Sequence, residues 1–102
     1  MAKDLFIAAL LDVYGAFLSE KQREIMGHYY NDDLSLAEIA ENEGTTRQAV
    51  SDIIRRGEAL IKKYENECGY YKKISEIKKI CESDADNGDK VVRISEIADN
   101  FL

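Results

Sequence analysis

Residues 36–64 repeat apolar side chains at spacings of three and four, and the repeat is interrupted once, at Gly44. This interruption constrains the fold more than any other feature of the chain. Apolar residues recurring with the helical period specify an amphipathic helix. Glycine is the residue that leaves a helix through a left-handed backbone conformation at little cost. Leu36, Ile39 and Ala40 lie before the corner, and Val50, Ile53, Ile54, Gly57, Leu60, Ile61 and Tyr64 follow it. Ser35 and Glu38 have the spacing of a capping box, and Thr46 is suited to start the second helix as its N-cap. Ala40 is small where the helices must cross, and Ile39, Val50 and Ile53 are placed to lock them at a steep angle. The segment reads as a helix-turn-helix.

The flanking sequence extends an all-α fold. The chain has no proline, so nothing breaks a helix from within. Leu5, Phe6, Ile7, Ala8, Ala9, Leu10 and Leu11 are apolar all round, and Val13, Tyr14, Phe17 and Leu18 continue the first helix. A helix without a polar face is central or shared with another chain, so a homodimer is expected. Ser19 and Gln22 form a second capping-box pair, and Ile25, Met26, Tyr29 and Tyr30 give the next helix its inner face. Asn31, Asp32 and Asp33 break it. Beyond the long fourth helix, Gly69 reads as a stop, and Tyr70, Ile74, Ile77 and Cys81 mark a fifth helix. "SDADNGD" (83–89) reads as an acidic loop, followed by a short helix from Ser95. These signals predict a helix-turn-helix domain over 1–82 and an acidic tail over 83–102.

Composition excludes several classes. The longest apolar run, Leu5 to Leu11, is far short of the roughly 20 residues a membrane span needs. Asp4 and the lack of a small-residue cleavage site argue against a signal peptide, which predicts a cytoplasmic protein. Cys68 and Cys81 form no CxxC, and with His28 as the single histidine they do not supply about four zinc ligands. Aligned as a calcium loop, residues 83–94 put Ala85 and Ile94 at ligand positions, so that reading fails. No glycine-rich phosphate loop and no Ser/His or Cys/His pairing are present, and the adjacent Asp32 and Asp33 point apart. No enzyme, metal or cofactor is expected.

The net charge of −6 conceals a division. Residues 1–44 and 81–102 are acidic, whereas residues 45–80 hold nine basic against five acidic side chains. A local basic stripe can dock on phosphate even in an acidic protein. With Val50 and Gly57 inward, the helical period turns Gln48, Ser51, Asp52 and Arg55 outward; Arg47 lies beside the helix start and Lys62 further along. The candidate nucleic-acid-binding residues are Arg47, Gln48, Ser51, Arg55, Arg56 and Lys62. Arg suits guanine, Gln suits adenine, and Ser reaches phosphate or a base edge. Left to solvent, the same face would carry only a surface Asp52–Arg56 pair worth about a few tenths of a kcal/mol. Glu43 and Thr45 flank the corner where apolar residues are usual. They weaken its packing, and Glu43 sets negative charge near the presumed groove face.

"LSEKQREIMGHYYNDDLSLAEIAENEGTTRQAVSDIIRR" resembles the last helical domain of bacterial sigma factors, which reads promoter −35 elements. "LLDVYGAFLSEKQREIMGHYY", "LSLAEIA" and "TTRQAVSDIIRRGEALIKKYE" are more similar still to the YlxM-type helix-turn-helix proteins, over about residues 5–80. The resemblance implies a small all-α cytoplasmic protein with groove-facing Arg47, Gln48, Ser51 and Arg55. Genes of that family typically adjoin those of the signal recognition particle GTPase and its receptor, which implies a role in that pathway. Three functions are open at this point: a DNA-reading regulator, an accessory factor docking on the signal recognition particle GTPase or RNA, and a structural dimer module.

Overall fold

Asp4 opens the first helix by accepting a hydrogen bond from the Phe6 amide at 2.9 Å. The computed structural model describes residues 3–101. The helices are α1 (Leu5–Tyr14), α2 (Glu20–Tyr30), α3 (Leu36–Glu43), α4 (Arg47–Cys68), α5 (Tyr70–Glu82) and α6 (Asn87–Asp99), and no strand occurs among the described residues. They fall into two compact units, Met1–Cys68 and Gly69–Leu102.

The expected starts and stops recur as geometry. Ser19 and Ser35 each make both bonds of a capping box, with Gln22 and Glu38. The Thr46 hydroxyl accepts from the Ala49 amide at 3.1 Å. Gly44 sits at φ +68°. The Thr45 amide reaches back to the Ala40 carbonyl at 2.9 Å and the Gly44 amide to that of Glu41 at 3.3 Å. This pair of bonds closes α3 as a Schellman turn and frees α4 to start in a new direction.

In the first unit α4 is the axis on which α1, α2 and α3 all pack. Ile7, Leu10, Leu11 and Tyr14 of α1 are buried. The Tyr14 ring lies 6.0 Å from Tyr64, and its hydroxyl donates to Glu65 at 2.6 Å. The rear half of α4 is therefore covered by the chain's own first helix. Leu5 of α1 and Phe17 of the turn after it remain 83% and 64% exposed, so the N-terminal segment is apolar beyond what the unit itself buries. Helix α1 also ends earlier than its apolar run predicts: Gly15–Phe17 tighten into a 3-10 turn, and Leu18 is extended just ahead of the Ser19 cap.

Lys3 fixes the α2–α3 turn. Its Nζ donates to the carbonyls of Tyr29 and Leu34 at 2.6 and 2.8 Å, pairs with Asp33 at 3.2 Å and lies over the Tyr29 ring. Asp33 takes a positive φ of 56°, a conformation that Asn and Asp tolerate better than most residues.

The second unit is a pair of packed helices, α5 and α6. Tyr70 stacks on Phe101 at 5.5 Å, and Lys73 lies over the same ring. The final helix begins at Asn87, eight residues before the expected Ser95, because Asp86 caps it by accepting from the Asp89 amide at 3.1 Å. The two compact units divide after Cys68, where Gly69 takes φ +66°.

Candidate nucleic-acid interface

The site is built by the close crossing of α2 and α4. A Cβ placed on Gly57 would fall 2.2 Å from the sulfur of Met26, which is itself fully buried. Only a residue without a side chain lets the two helices approach so closely. Tyr30 adds a second tie from α2 by donating its hydroxyl to Glu58. Burial first, and this hydrogen bond second, push the Tyr30 phenol well above its usual range, so it stays a neutral donor.

Helix α3 is pinned from the other side. Ile39 and Val50 are both fully buried beside the corner. Glu43, expected to weaken this corner, is held there instead: Lys21 of α2 pairs with its carboxylate at 3.0 Å. That hydrogen bond is the main cause that lowers the Glu43 pKa and raises that of Lys21.

With α4 so held, its early turns stand outward. Arg47, Gln48, Arg55, Arg56 and Lys62 are exposed, whereas Ser51 is half-buried. Gln48, Asp52, Arg55 and Lys62 share one line along the helix, and the 3.6-residue period sets Arg47 and Arg56 on opposite flanks of it. Ser51 and Arg55 also line a cleft with Lys3, Tyr30, Leu36 and Glu58. Asp52 does not use Arg56 as its partner. Its Oδ1 accepts from Arg55 Nη2 at 2.6 Å and from Gln48 Nε2 at 3.1 Å. The spacings 48, 52 and 55 are visible in the sequence; that one carboxylate serves both neighbours is not.

Among the described residues, one group brings possible metal ligands together: Glu24, His28 and Glu43, with donor atoms within 4.8 Å of one another. Sequence reasoning misses it because Glu43 joins from another helix. Lys21 already occupies Glu43, and His28 Nδ1 is 2.9 Å from Asp32. The group acts as a charge network that ties α2 to α3. The hydrogen bond to Asp32 raises the His28 pKa from the usual 6.5; burial opposes it, and the charges of Asp32, Glu24 and Glu43 add to it. A raised folded pKa means that protonation stabilises the fold. That stabilisation is fully present below the unfolded value and disappears as pH rises through the folded one. We expect the urea midpoint to fall as pH rises above the usual imidazole value, and His28→Gln to flatten this slope. A midpoint equally pH-dependent in His28→Gln would assign the titration elsewhere.

Comparison with known proteins follows the same architecture. Residues 1–101 match the model of the UPF0122 family, described as "Putative helix-turn-helix protein, YlxM / p13 like". The chain belongs to the UPF0122 family. A UPF0122 protein of Clostridium acetobutylicum is 44% identical over 82 residues, covering 78% of this chain and 71% of the relative. Another, from Clostridium kluyveri, is 53% identical over 66 residues, which cover 65% of this chain and 60% of that protein's length. A third, from Symbiobacterium thermophilum, is 50% identical over 64 residues, covering 63% of this chain and 60% of the relative. No helix among the described residues is long and apolar enough to cross a membrane.

Proposed function

We propose that this UPF0122 protein binds duplex nucleic acid through the early turns of α4 and acts as a regulator. One observation carries the reading: beyond the Gly44 corner, Arg47, Gln48 and Arg55 are exposed on a helix whose opposite side is buried. Arg47 and the flanking Arg56 and Lys62 supply phosphate contacts, and Gln48 and Arg55 supply base contacts. The net charge of −6 keeps affinity for arbitrary sequence low. Self-association through the apolar surface of α1 and the turn after it, where Leu5 and Phe17 are exposed, belongs to the same proposal and sets two recognition helices on one duplex.

A second reading has its own support. Asp52 places a carboxylate in the middle of the exposed line, and the ends of the chain are acidic. Such a face suits a basic protein partner. Docking on the signal recognition particle GTPase is the form of this reading that the family resemblance suggests; docking on that particle's RNA would use the cations of α4 instead.

Fluorescence anisotropy of a labelled duplex across a salt series separates the two. Arg47→Ala and Arg55→Ala are each expected to weaken binding; Arg47→Ala, which removes a phosphate contact, also reduces the slope of log affinity against log salt by about 0.9, whereas Arg55→Ala, which removes a base contact, leaves the slope near that of the wild type. Unchanged affinity in both variants, or no binding at the lowest salt, would leave the protein-docking reading.

A further inference from the structure

The carboxylate of Asp52 lies in the middle of the face that has to approach a polyanion, which is an unfavourable place for it. Its geometry supplies a reason. Asp52 is about one-third exposed and Arg55 is 70% exposed, so this contact is a feature of the surface and supports no part of the core. A single oxygen, Oδ1, accepts from Arg55 Nη2 at 2.6 Å and from Gln48 Nε2 at 3.1 Å.

An unrestrained glutamine amide turns either end outward. Once one N–H is committed to Asp52, the other N–H and the Oε1 remain, the donor–acceptor pair that matches adenine N7 and N6. An arginine has five donors in a rigid fork. Committing one of them to Asp52 holds the guanidinium plane and leaves others for guanine O6 and N7. Side chains ordered before contact lose less freedom on binding. The negative charge meanwhile repels every phosphate backbone equally.

We propose that Asp52 is a positioning residue that fixes Gln48 and Arg55 for purine recognition, raising selectivity while lowering general affinity. The proposal rests on the reading of α4 as a nucleic-acid interface, and names the bases that interface selects.

The test uses the full chain and two variants. Asn keeps an oxygen acceptor without the charge, and Ala keeps neither. A duplex selected from a random library by the wild type is compared with a scrambled duplex. Asp52→Asn is expected to bind both more tightly with the selected-to-scrambled ratio held within about twofold. Asp52→Ala is expected to bind the scrambled duplex more tightly but to reduce the ratio about tenfold. An unchanged ratio in Asp52→Ala overturns the proposal, and so does an equal reduction in Asp52→Asn. Nitrogen relaxation at Arg55 Nε in the free protein gives a readout independent of DNA. Restraint that is present in the wild type and Asp52→Asn but absent in Asp52→Ala supports the positioning role. Equal mobility in the wild type and Asp52→Ala overturns it, whatever the protein binds. A wild type that selects no duplex overturns the nucleic-acid reading and this proposal together, and the relaxation result then stands as a fact about the free helix.

Discussion

Gly57→Ala is expected to destabilise the first unit by about 1–3 kcal/mol, the usual cost of forcing a methyl into a packed site. The sign is informative because propensity alone demands the opposite. Alanine is favoured over glycine inside a helix by about 1 kcal/mol. At position 57 that preference is overruled by the 2.2 Å approach of Met26 Sδ to the new Cβ. Met26 has little room to retreat, since it is fully buried between α2 and α4. A unit of this size should lose roughly 5–20 °C in Tm. Met26→Ala alone opens a cavity at about 2–5 kcal/mol. In the double variant the new methyl partly fills that cavity, so the two costs should fall short of additivity by about 1–3 kcal/mol. Urea denaturation followed by tyrosine fluorescence measures all three. Gly57→Ala more stable than the wild type would mean that α2 and α4 do not cross where the structure puts them.

That crossing also marks how far the fold is legible in the sequence. The periodicity of α4 shows Gly57 on its inner side, and both capping boxes and the Gly44 corner read directly, because each is decided within four residues of itself. Met26 as the residue that makes glycine necessary lies 31 positions away in the chain and leaves no local trace. The same holds for Lys3, whose hold on the Tyr29 and Leu34 carbonyls depends on where α1 lies. Glu43 shows a related limit. A carboxylate at a corner counts against packing until Lys21 arrives from another helix to neutralise it. The late helix differs in kind. Asp86 and Asp89 have N-cap spacing in the sequence, but "SDADNGD" has the composition of a loop, and the cap decides where the helix begins. At the interface, exposure of residues 47, 48 and 55 follows from period alone. Their mutual arrangement does not, because Asp52 has Gln48, Arg55 and Arg56 all within helical reach.

Acidic composition is therefore compatible with the proposed role of α4. Its acids divide into groups with distinct tasks. Glu38 and Asp86 cap helices and carry lowered pKa values from the backbone bonds they make. Glu43 and Asp32 hold Lys21 and His28 of α2. Asp52 stands amid the outward line of α4, between Gln48 and Arg55, so the charge of that face is small and its hydrogen-bonding pattern is specific. Under the proposed nucleic-acid reading, discrimination on such a face comes from base contacts, with phosphate attraction held down by the protein's own field.

Ile39→Ala is expected to cost about 2–5 kcal/mol, the range for truncating a fully buried isoleucine. Ile39 has no exposed surface, and neither has Val50 across the corner. Removing its three outer carbons leaves α3 attached through Lys21–Glu43 and the Schellman turn, both too polar to replace the apolar burial. Ile74→Ala is the control: Ile74 is 46% exposed and should cost less than about 1 kcal/mol. The two classes of variant then separate in one experiment. Arg47→Ala alters the salt slope of binding and leaves Tm close to that of the wild type, because its side chain lies outside the core. Ile39→Ala lowers Tm but preserves the salt slope at any temperature where the unit is folded, because every cation on α4 is retained. Were Ile39→Ala to change the slope well below its Tm, the angle at Gly44 would itself set which cations reach phosphate, and the corner would be an adjustable part of the interface rather than a fixed mount for it.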